Sequence, residues 1–440
     1  MMKKQYFLNA KIIDPKNSID EIGGLIIGEN GKIEAIGKKV NQNNIPSREK
    51  YIDLKEKFIF PGLVDMRVFV GEPGYEYKEN FRTLSNAALA GGVTSVVTMP
   101  NTSPVIDNVS MVDFLKRRGR DKSKINIFPT ASLTKGLEGT NMNEFGLLNK
   151  KGIIGYTDGT QTIQNTRLMS RIMRSAFDLD ALVIQHAEDN ELSKDGQVND
   201  GIIATKLGLQ GIPDYAEKII IERDLTLLED FNCRYHIAQI SSEKSVEIIK
   251  NRKEIVKFTT GVSINNLSLN QNDIGDFRTF LKLSPPLRTE EDRLSLIKGI
   301  NQNLIDVIVS DHKPEDEESK RLTFSQAATG ASGIETLLPL ALELFHNGSI
   351  KLNKIIECMT CNPAKILKIN KGSLSVGSDA DLCIVDIYKP WVVKKEKMIS
   401  KSKNTCIEDK KLQGKVLSTF INGVESVSYT HLTLPTTEAV

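Results

Sequence analysis

The sequence predicts an α/β protein in which a (β/α)8 barrel of the TIM type carries a small composite β domain built from both ends of the chain. Three observations support this fold class. The 440 residues exceed the roughly 250 that one such barrel needs. Apolar strands alternate with helical stretches through the middle of the chain, and strands punctuated by turns recur at both ends. We expect the barrel over 56–370.

The two ends of the chain supply the smaller domain. Residues 1–55 alternate short apolar runs with turn signals such as Gly23-Gly24, a pattern typical of a β meander. Residues 371–425 repeat that pattern, for example over 416–423. We therefore expect the two segments to pair in one β domain.

The middle of the chain predicts the barrel. Apolar runs rich in β-branched residues alternate there with amphipathic helical stretches, as in parallel strands buried on both faces within βα units. Their number fits eight such units, and no internal sequence repeat is visible. The runs are Thr94–Met99, Ile125–Ile127, Gly152–Tyr156, Ala181–Gln185, Tyr235–Ile240 and Val307–Val309.

Composition excludes several classes of protein. Lysine and arginine (58) nearly balance aspartate and glutamate (56), and the net charge of +2 gives no attraction to nucleic acid or to an anionic membrane. Without a signal segment or a run of about 18 apolar residues, the sequence predicts a cytoplasmic protein. The five cysteines are an odd number, which favours reduced thiols. Cys358 and Cys361 form a C-x-x-C motif without further metal ligands, and we interpret them as packing residues.

Residues 426–440 are interpreted as a non-native tail. The stretch around Ser428–Thr436 resembles a translated sequencing adapter more than a protein family. The alternative is a genuine polar tail. His431 is therefore left out of the candidate site.

Short motifs rich in glycine, proline and apolar residues follow one another at barrel spacing. They are Pro61–Gly74, Ala90–Thr94, Met99–Val105, His186–Asp189, Ser284–Arg288, Asp311–Pro314, Gly333–Thr336 and Asn362–Ile366. In this order they resemble the dihydroorotase family, a branch of the amidohydrolase superfamily. The resemblance implies a barrel of the metal-dependent hydrolase type.

The first motif keeps the family's frame but not its metal ligands. The resemblance implies one or two divalent metals at the C-terminal mouth of the barrel, where they activate water and are held in part by a His-x-His pair. Arg67 and Phe69 stand at those two positions. Phenylalanine has no suitable lone pair and a guanidinium has no acceptor, so neither side chain can bind a metal.

The remaining metal positions implied by the resemblance are mixed. His186 and Asp311 are retained, and Asp311 stands where the family keeps a metal-bound aspartate that also transfers protons. Gln239 replaces a further histidine. Asp158 is one of two aspartates expected in a turn, and whether it is the bridging one stays open. His236 lies three residues before Gln239, so strand alternation predicts that it points to the opposite face and only packs.

The positions implied for substrate binding are also mostly changed. Gly71 replaces an arginine that would bind a carboxylate, Ser284 replaces an asparagine, and Glu315 replaces a histidine. Asn101 is retained. Glu315 would repel an anionic substrate.

These changes predict a particular contact. A partly buried carboxylate without its metal is costly, so we expect Arg67 to pair with Asp311 or Asp158. The alternative is that Arg67 reaches solvent and Asp311 is hydrated.

Three functions are compatible with the sequence. The resemblance implies a catalytically inactive dihydroorotase-like protein of pyrimidine biosynthesis, an oligomer that binds the catalytic subunit of aspartate transcarbamoylase and needs no cofactor. The alternative is an active cyclic amidohydrolase, acting on dihydroorotate or a hydantoin, with zinc on His186, Asp158 and Asp311. The third is a binding module without chemistry.

Overall fold

The computed structural model describes residues 3–46 and 49–428. Of the predicted tail over 426–440, the first three residues lie in the last strand, and the others, with His431, lie outside the described residues. None of the described helices combines the length and the apolar character needed to cross a membrane. The five cysteines are free thiols, as predicted.

Strands are distributed along the whole described chain. In chain order they are β1 Gln5–Asp14, β2 Ile19–Ile27, β3 Ile33–Gly37, β4 Ile52–Asp53, β5 Phe58–Pro61, β6 Leu63–Val68, β7 Val93–Thr98, β8 Asn126–Pro129, β9 Leu182–Gln185, β10 Val198–Asn199, β11 Gly211–Ile212, β12 Arg234–Ile237, β13 Thr259–Ser263, β14 Val307–Val309, β15 Leu382–Val392, β16 Lys411–Ile421 and β17 Val424–Ser428.

Helices occupy most of the connections between the central strands. In chain order they are α1 Phe81–Ala90, α2 Val109–Lys122, α3 Phe145–Asn149, α4 Thr166–Asp178, α5 Ile202–Leu207, α6 Tyr215–Phe231, α7 Glu243–Arg252, α8 Ile264–Ser268, α9 Glu290–Asn301, α10 Glu317–Arg321, α11 Leu337–His346, α12 Leu352–Met359 and α13 Cys361–Leu367. Several begin with an N-cap side chain. Asn80, for example, accepts backbone hydrogen bonds at the start of α1 and forms a capping box with Thr83.

The two chain ends form one β domain, as predicted. Their strands make a single sheet in the order β17-β16-β15-β5-β1-β2-β3, with β4 beside β1. β5 pairs with β1 and β15, so 58–61 belong to this sheet and the barrel begins at Leu63, not at 56. The reason is that β5 and β6 are separated by Gly62 alone, so the sequence shows one nearly continuous apolar run across the change of sheet.

The central strands form the predicted (β/α)8 barrel. Parallel pairing joins β6-β7-β8 and, separately, β9-β12-β13-β14. Tyr156 bridges β8 and β9 by pairing with Ala131 and Val183, and Val68 pairs with His312 to close the ring. β6 is buried at every residue, as expected for a strand with the barrel interior on one face and helices on the other.

Candidate active site

An ion pair between Arg67 and Asp311 lies at the mouth of the barrel. Arg67 is the penultimate residue of β6, and Asp311 follows the end of β14, so both stand at C-terminal strand ends. Arg67 Nε donates to Asp311 Oδ1 at 3.0 Å, and Arg67 Nη1 donates to the Gly159 carbonyl at 3.3 Å. The side chains are only 4% and 12% exposed. The predicted contact is confirmed, and its partner is Asp311.

The surroundings of this pair act on the Asp311 carboxyl in opposite directions. Burial raises its pKa above the ordinary range, because the charged form loses hydration. The Arg67 guanidinium opposes this through its charge and its hydrogen bond. Arg67 therefore favours the ionised form of a carboxylate that would otherwise tend to hold its proton.

Phe69 and Gly71 continue the segment without any group for a metal or a substrate. Phe69 is buried, with its ring centroid 6.0 Å from that of Tyr75. Gly71 has a φ of +75°, and a Cβ there would lie 2.5 Å from the Glu79 carbonyl oxygen. This backbone therefore has no room for the arginine that the family resemblance implies at position 71.

His186 is a neutral imidazole in this mouth. It is buried, its Nε2 lies 3.3 Å from Ser284 Oγ, and its Nδ1 has no hydrogen-bond partner. Burial, followed by the charges of Arg67 and Lys313, lowers the pKa of His186 to about 3. Gln239 lies close by, and its Nε2 donates to the Ser284 carbonyl at 2.9 Å. The Gln239 side chain is thus bonded to the backbone of residue 284.

The prediction for His236 is partly wrong. His236 is a buried residue bonded through Nδ1 to Thr259 Oγ1 at 2.8 Å, which fits a packing role. It does not point away from the barrel interior, however. Together with Arg67 and Ala238, His236 lines a small internal space below the mouth. β12 ends at Ile237, so the alternation used for the prediction does not extend to Gln239.

Asp158 was considered as a metal ligand in the alternative function, but here its carboxylate accepts hydrogen bonds from a neighbouring loop. Its Oδ1 accepts the backbone N–H groups of Leu133 and Thr134 at 2.7 and 3.0 Å, and its Oδ2 accepts the Thr134 hydroxyl. Burial raises the pKa of Asp158 to about 6, against the effect of these hydrogen bonds. Both oxygens thus hold the loop after β8 and are not directed at Asp311.

Two lysines that the sequence analysis did not single out complete the charge of the mouth. Lys78 Nζ lies 2.6 Å from Glu315 Oε2, so the carboxylate at 315 is neutralised. Lys313 is close enough to lower the pKa of His186, and its own pKa is lowered by burial. In the sequence, only the position of Lys313 two residues after Asp311 indicated that it lies near the site.

Asn101 remains near the ion pair. Its Oδ1 is buried without a hydrogen-bond partner, and Gly159, whose carbonyl binds Arg67, packs directly against its amide. The structure therefore brings Asn101, His186 and Asp311 to one mouth, and it places Asp158 in the adjoining loop.

The side chains of this mouth do not fit the metal that the family resemblance implies. Within 3–46 and 49–428, no three histidine, cysteine, aspartate or glutamate side chains are grouped so as to hold a metal ion. Arg67 takes a carboxylate oxygen of Asp311, and a cation placed there would meet the charges of Arg67 and Lys313.

Comparison with solved structures identifies the fold. L-hydantoinase (dihydropyrimidinase) from Arthrobacter aurescens superposes with a TM-score of 0.85 at 23% identity, covering 96% of this chain and 95% of that one. Dihydropyrimidinase from Brevibacillus agri NCHU1002 gives a TM-score of 0.83 at 22% identity, with 97% and 95% covered.

Comparison with known sequences identifies the family. A family model described as Dihydro-orotase-like matches 56–245. The protein named Dihydroorotase from Ehrlichia canis (strain Jake) is 40% identical over 420 residues, which is 95% of this chain and 93% of that protein. The Dihydroorotase of Syntrophus aciditrophicus (strain SB) is 39% identical, with 94% and 97% covered. The chain therefore belongs to the dihydroorotase family of cyclic amidohydrolases.

Proposed function

We propose that this chain is a dihydroorotase-like protein of pyrimidine biosynthesis that has lost metal-dependent hydrolysis and supports the assembly of aspartate transcarbamoylase. The observation that carries the first part is the buried Arg67–Asp311 ion pair at 3.0 Å. It joins a residue that cannot bind a metal to the carboxylate that the family's reaction would need.

The loss of hydrolysis follows from what the mouth can do chemically. Attack of water on an amide needs a group that lowers the pKa of the water and a group that stabilises the developing oxyanion. Asp311 is engaged by Arg67, and His186 is a weak base because its pKa is about 3. Without a metal, neither residue generates hydroxide at neutral pH.

The assembly role rests on what has been kept. The barrel is closed, its interior is packed, and the β domain is complete through β17. A surface carried by this fold can serve a partner without any chemistry at the mouth. The family resemblance supplies the partner, the catalytic subunit of aspartate transcarbamoylase.

Size-exclusion chromatography with light scattering tests this role. We expect the chain and the catalytic subunit from the same organism to elute as one complex of larger mass than either alone. EDTA should leave the complex intact, because a structural role needs no metal. Elution as two separate species at micromolar concentrations would contradict the assembly role.

The second candidate is an active cyclic amidohydrolase with a reduced metal site. It is favoured by the 40% identity to a protein named Dihydroorotase and by the unpaired Nδ1 of His186, which leaves one imidazole nitrogen for a ligand. In this case Arg67 would have to leave Asp311. Stoichiometric metal with turnover would select this candidate.

A further inference from the structure

A cavity of about 440 Å³ opens at the end of the barrel opposite to the mouth. Its walls come from the first residues of β9, β12 and β13, namely Leu182, Arg234 and Thr259, and from α13 and the residue that follows it. The Arg67–Asp311 pair stands at the C-terminal ends of the strands, so the two places are on opposite faces. The volume is within the usual range for small-molecule sites.

Part of the lining of this basal cavity is apolar. Leu182 and Phe258 are buried, and Ile366 is half-buried beside them. These side chains give the cavity an apolar part that the ring of a ligand can contact.

The lining also includes cationic residues, and Arg234 lies beside the apolar ones, since it pairs with Leu182 and donates to the Ile366 carbonyl. Arg234 and Lys368 both bind Asp180, so this carboxylate largely compensates their positive charges. The acidic lining residue, Asp306, is held at 3.2 Å by Lys253.

Two further lining lysines, Lys257 and Lys365, are different. Both are exposed, and neither has a carboxylate within 4 Å in the described part of the chain. Each therefore adds a positive charge to the lining without an ion-pair partner among the described residues. A dianion could interact with both ammonium groups, whereas a neutral molecule would leave both without a counter-ion.

We propose that the basal cavity is a binding site for a nucleoside monophosphate or another organic phosphate that carries a ring. The phosphate contacts Lys257 and Lys365, and the ring lies on Leu182, Phe258 and Ile366. A site at this face does not share residues with the mouth. It is therefore independent of whether hydrolysis has been lost.

Calorimetric titration of the full chain with UMP and AMP, and with inorganic phosphate and uridine as partial ligands, tests the site. We expect at least one of the two nucleotides to bind about tenfold or more tightly than either partial ligand, since only a nucleotide contacts both the apolar and the cationic lining residues. The K257Q/K365Q variant should weaken that binding by at least about tenfold, and added salt should weaken it in the wild type.

The variant K39Q/K206Q is the matched control. It removes the same charge from exposed lysines elsewhere on the surface, and nucleotide binding should be unchanged. The proposal is overturned if neither nucleotide binds at millimolar concentration, if phosphate alone binds as tightly as the better nucleotide, or if the control weakens binding as much as K257Q/K365Q. Circular dichroism of both variants verifies that they fold.

Discussion

Replacing Arg67 with methionine is expected to lower the free energy of unfolding by about 3 kcal/mol at neutral pH. The substitution keeps an unbranched apolar stem but leaves Asp311 as a carboxylate that is 12% exposed and has lost its cation. Removing one partner of a buried pair costs more than the pair contributes, because the remaining charge stays poorly hydrated. Urea-induced unfolding measures the change.

This destabilisation should depend on pH. Burial already raises the pKa of Asp311, and loss of Arg67 raises it further. A group whose pKa is higher in the folded than in the unfolded state stabilises the fold at low pH and ceases to do so as the pH rises through the folded-state pKa. The R67M penalty should therefore be smaller near pH 5 than near pH 8.

An exposed ion pair provides the control. Arg321 and Glu317 are 2.6 Å apart with side chains 65% and 73% exposed. R321M should cost less than about 0.5 kcal/mol. Equal costs for R67M and R321M would mean that the mouth pair is not the electrostatic substitute that we describe. The double variant R67M/D311N should recover part of the loss, because neither member of the former pair is then left as an uncompensated charge.

Replacing Asp158 with alanine is also expected to cost about 3 kcal/mol. Its carboxylate satisfies two backbone N–H groups and one hydroxyl, at Leu133 and Thr134, and these donors are buried. Each buried donor left without an acceptor costs on the order of 1 kcal/mol or more. Unfolding measurements give the total, and faster hydrogen exchange at the two amides would locate the effect.

Two variants separate this role from others. D158N keeps one acceptor oxygen and should cost less than half as much as D158A. Asp53 accepts the Lys55 amide in an exposed turn, so D53A should cost less than about 1 kcal/mol. If D158A left stability unchanged and instead reduced the amount of bound metal, Asp158 would be a ligand and not an anchor of the loop.

The parts of the fold that depend on local pattern were predictable. Buried β-branched runs identified most barrel strands, and the turn-rich ends identified the composite sheet. β13 has the sequence Thr-Thr-Gly-Val-Ser and was not predicted, because its polar residues do not form the apolar run by which the other buried strands were identified. It lies between β12 and β14. β5 was placed in the wrong domain, because its pairing with β15 involves residues more than 300 positions away.

The candidate site was predictable where chemistry alone decides. Arg67 cannot bind a metal in any geometry, and a partly buried carboxylate needs a cation, so an ion pair of Arg67 with Asp311 or Asp158 was predictable, and the structure selects Asp311. The direction of a side chain at a strand end did not follow. His236 and Asp158 show this, since each depends on where the strand stops or a loop returns. The basal cavity joins residues from 182 to 368, and no local pattern marks it.

Dihydroorotate hydrolysis, assayed together with the zinc content of the same purified protein, tests the central claim most directly. The chain should be prepared with zinc in the medium, beside a dihydroorotase that carries the His-x-His pair. We predict substoichiometric zinc and no turnover above the uncatalysed rate for this chain, with both present in the reference enzyme. Stoichiometric zinc with turnover that falls on chelation and returns on metal addition would contradict the account.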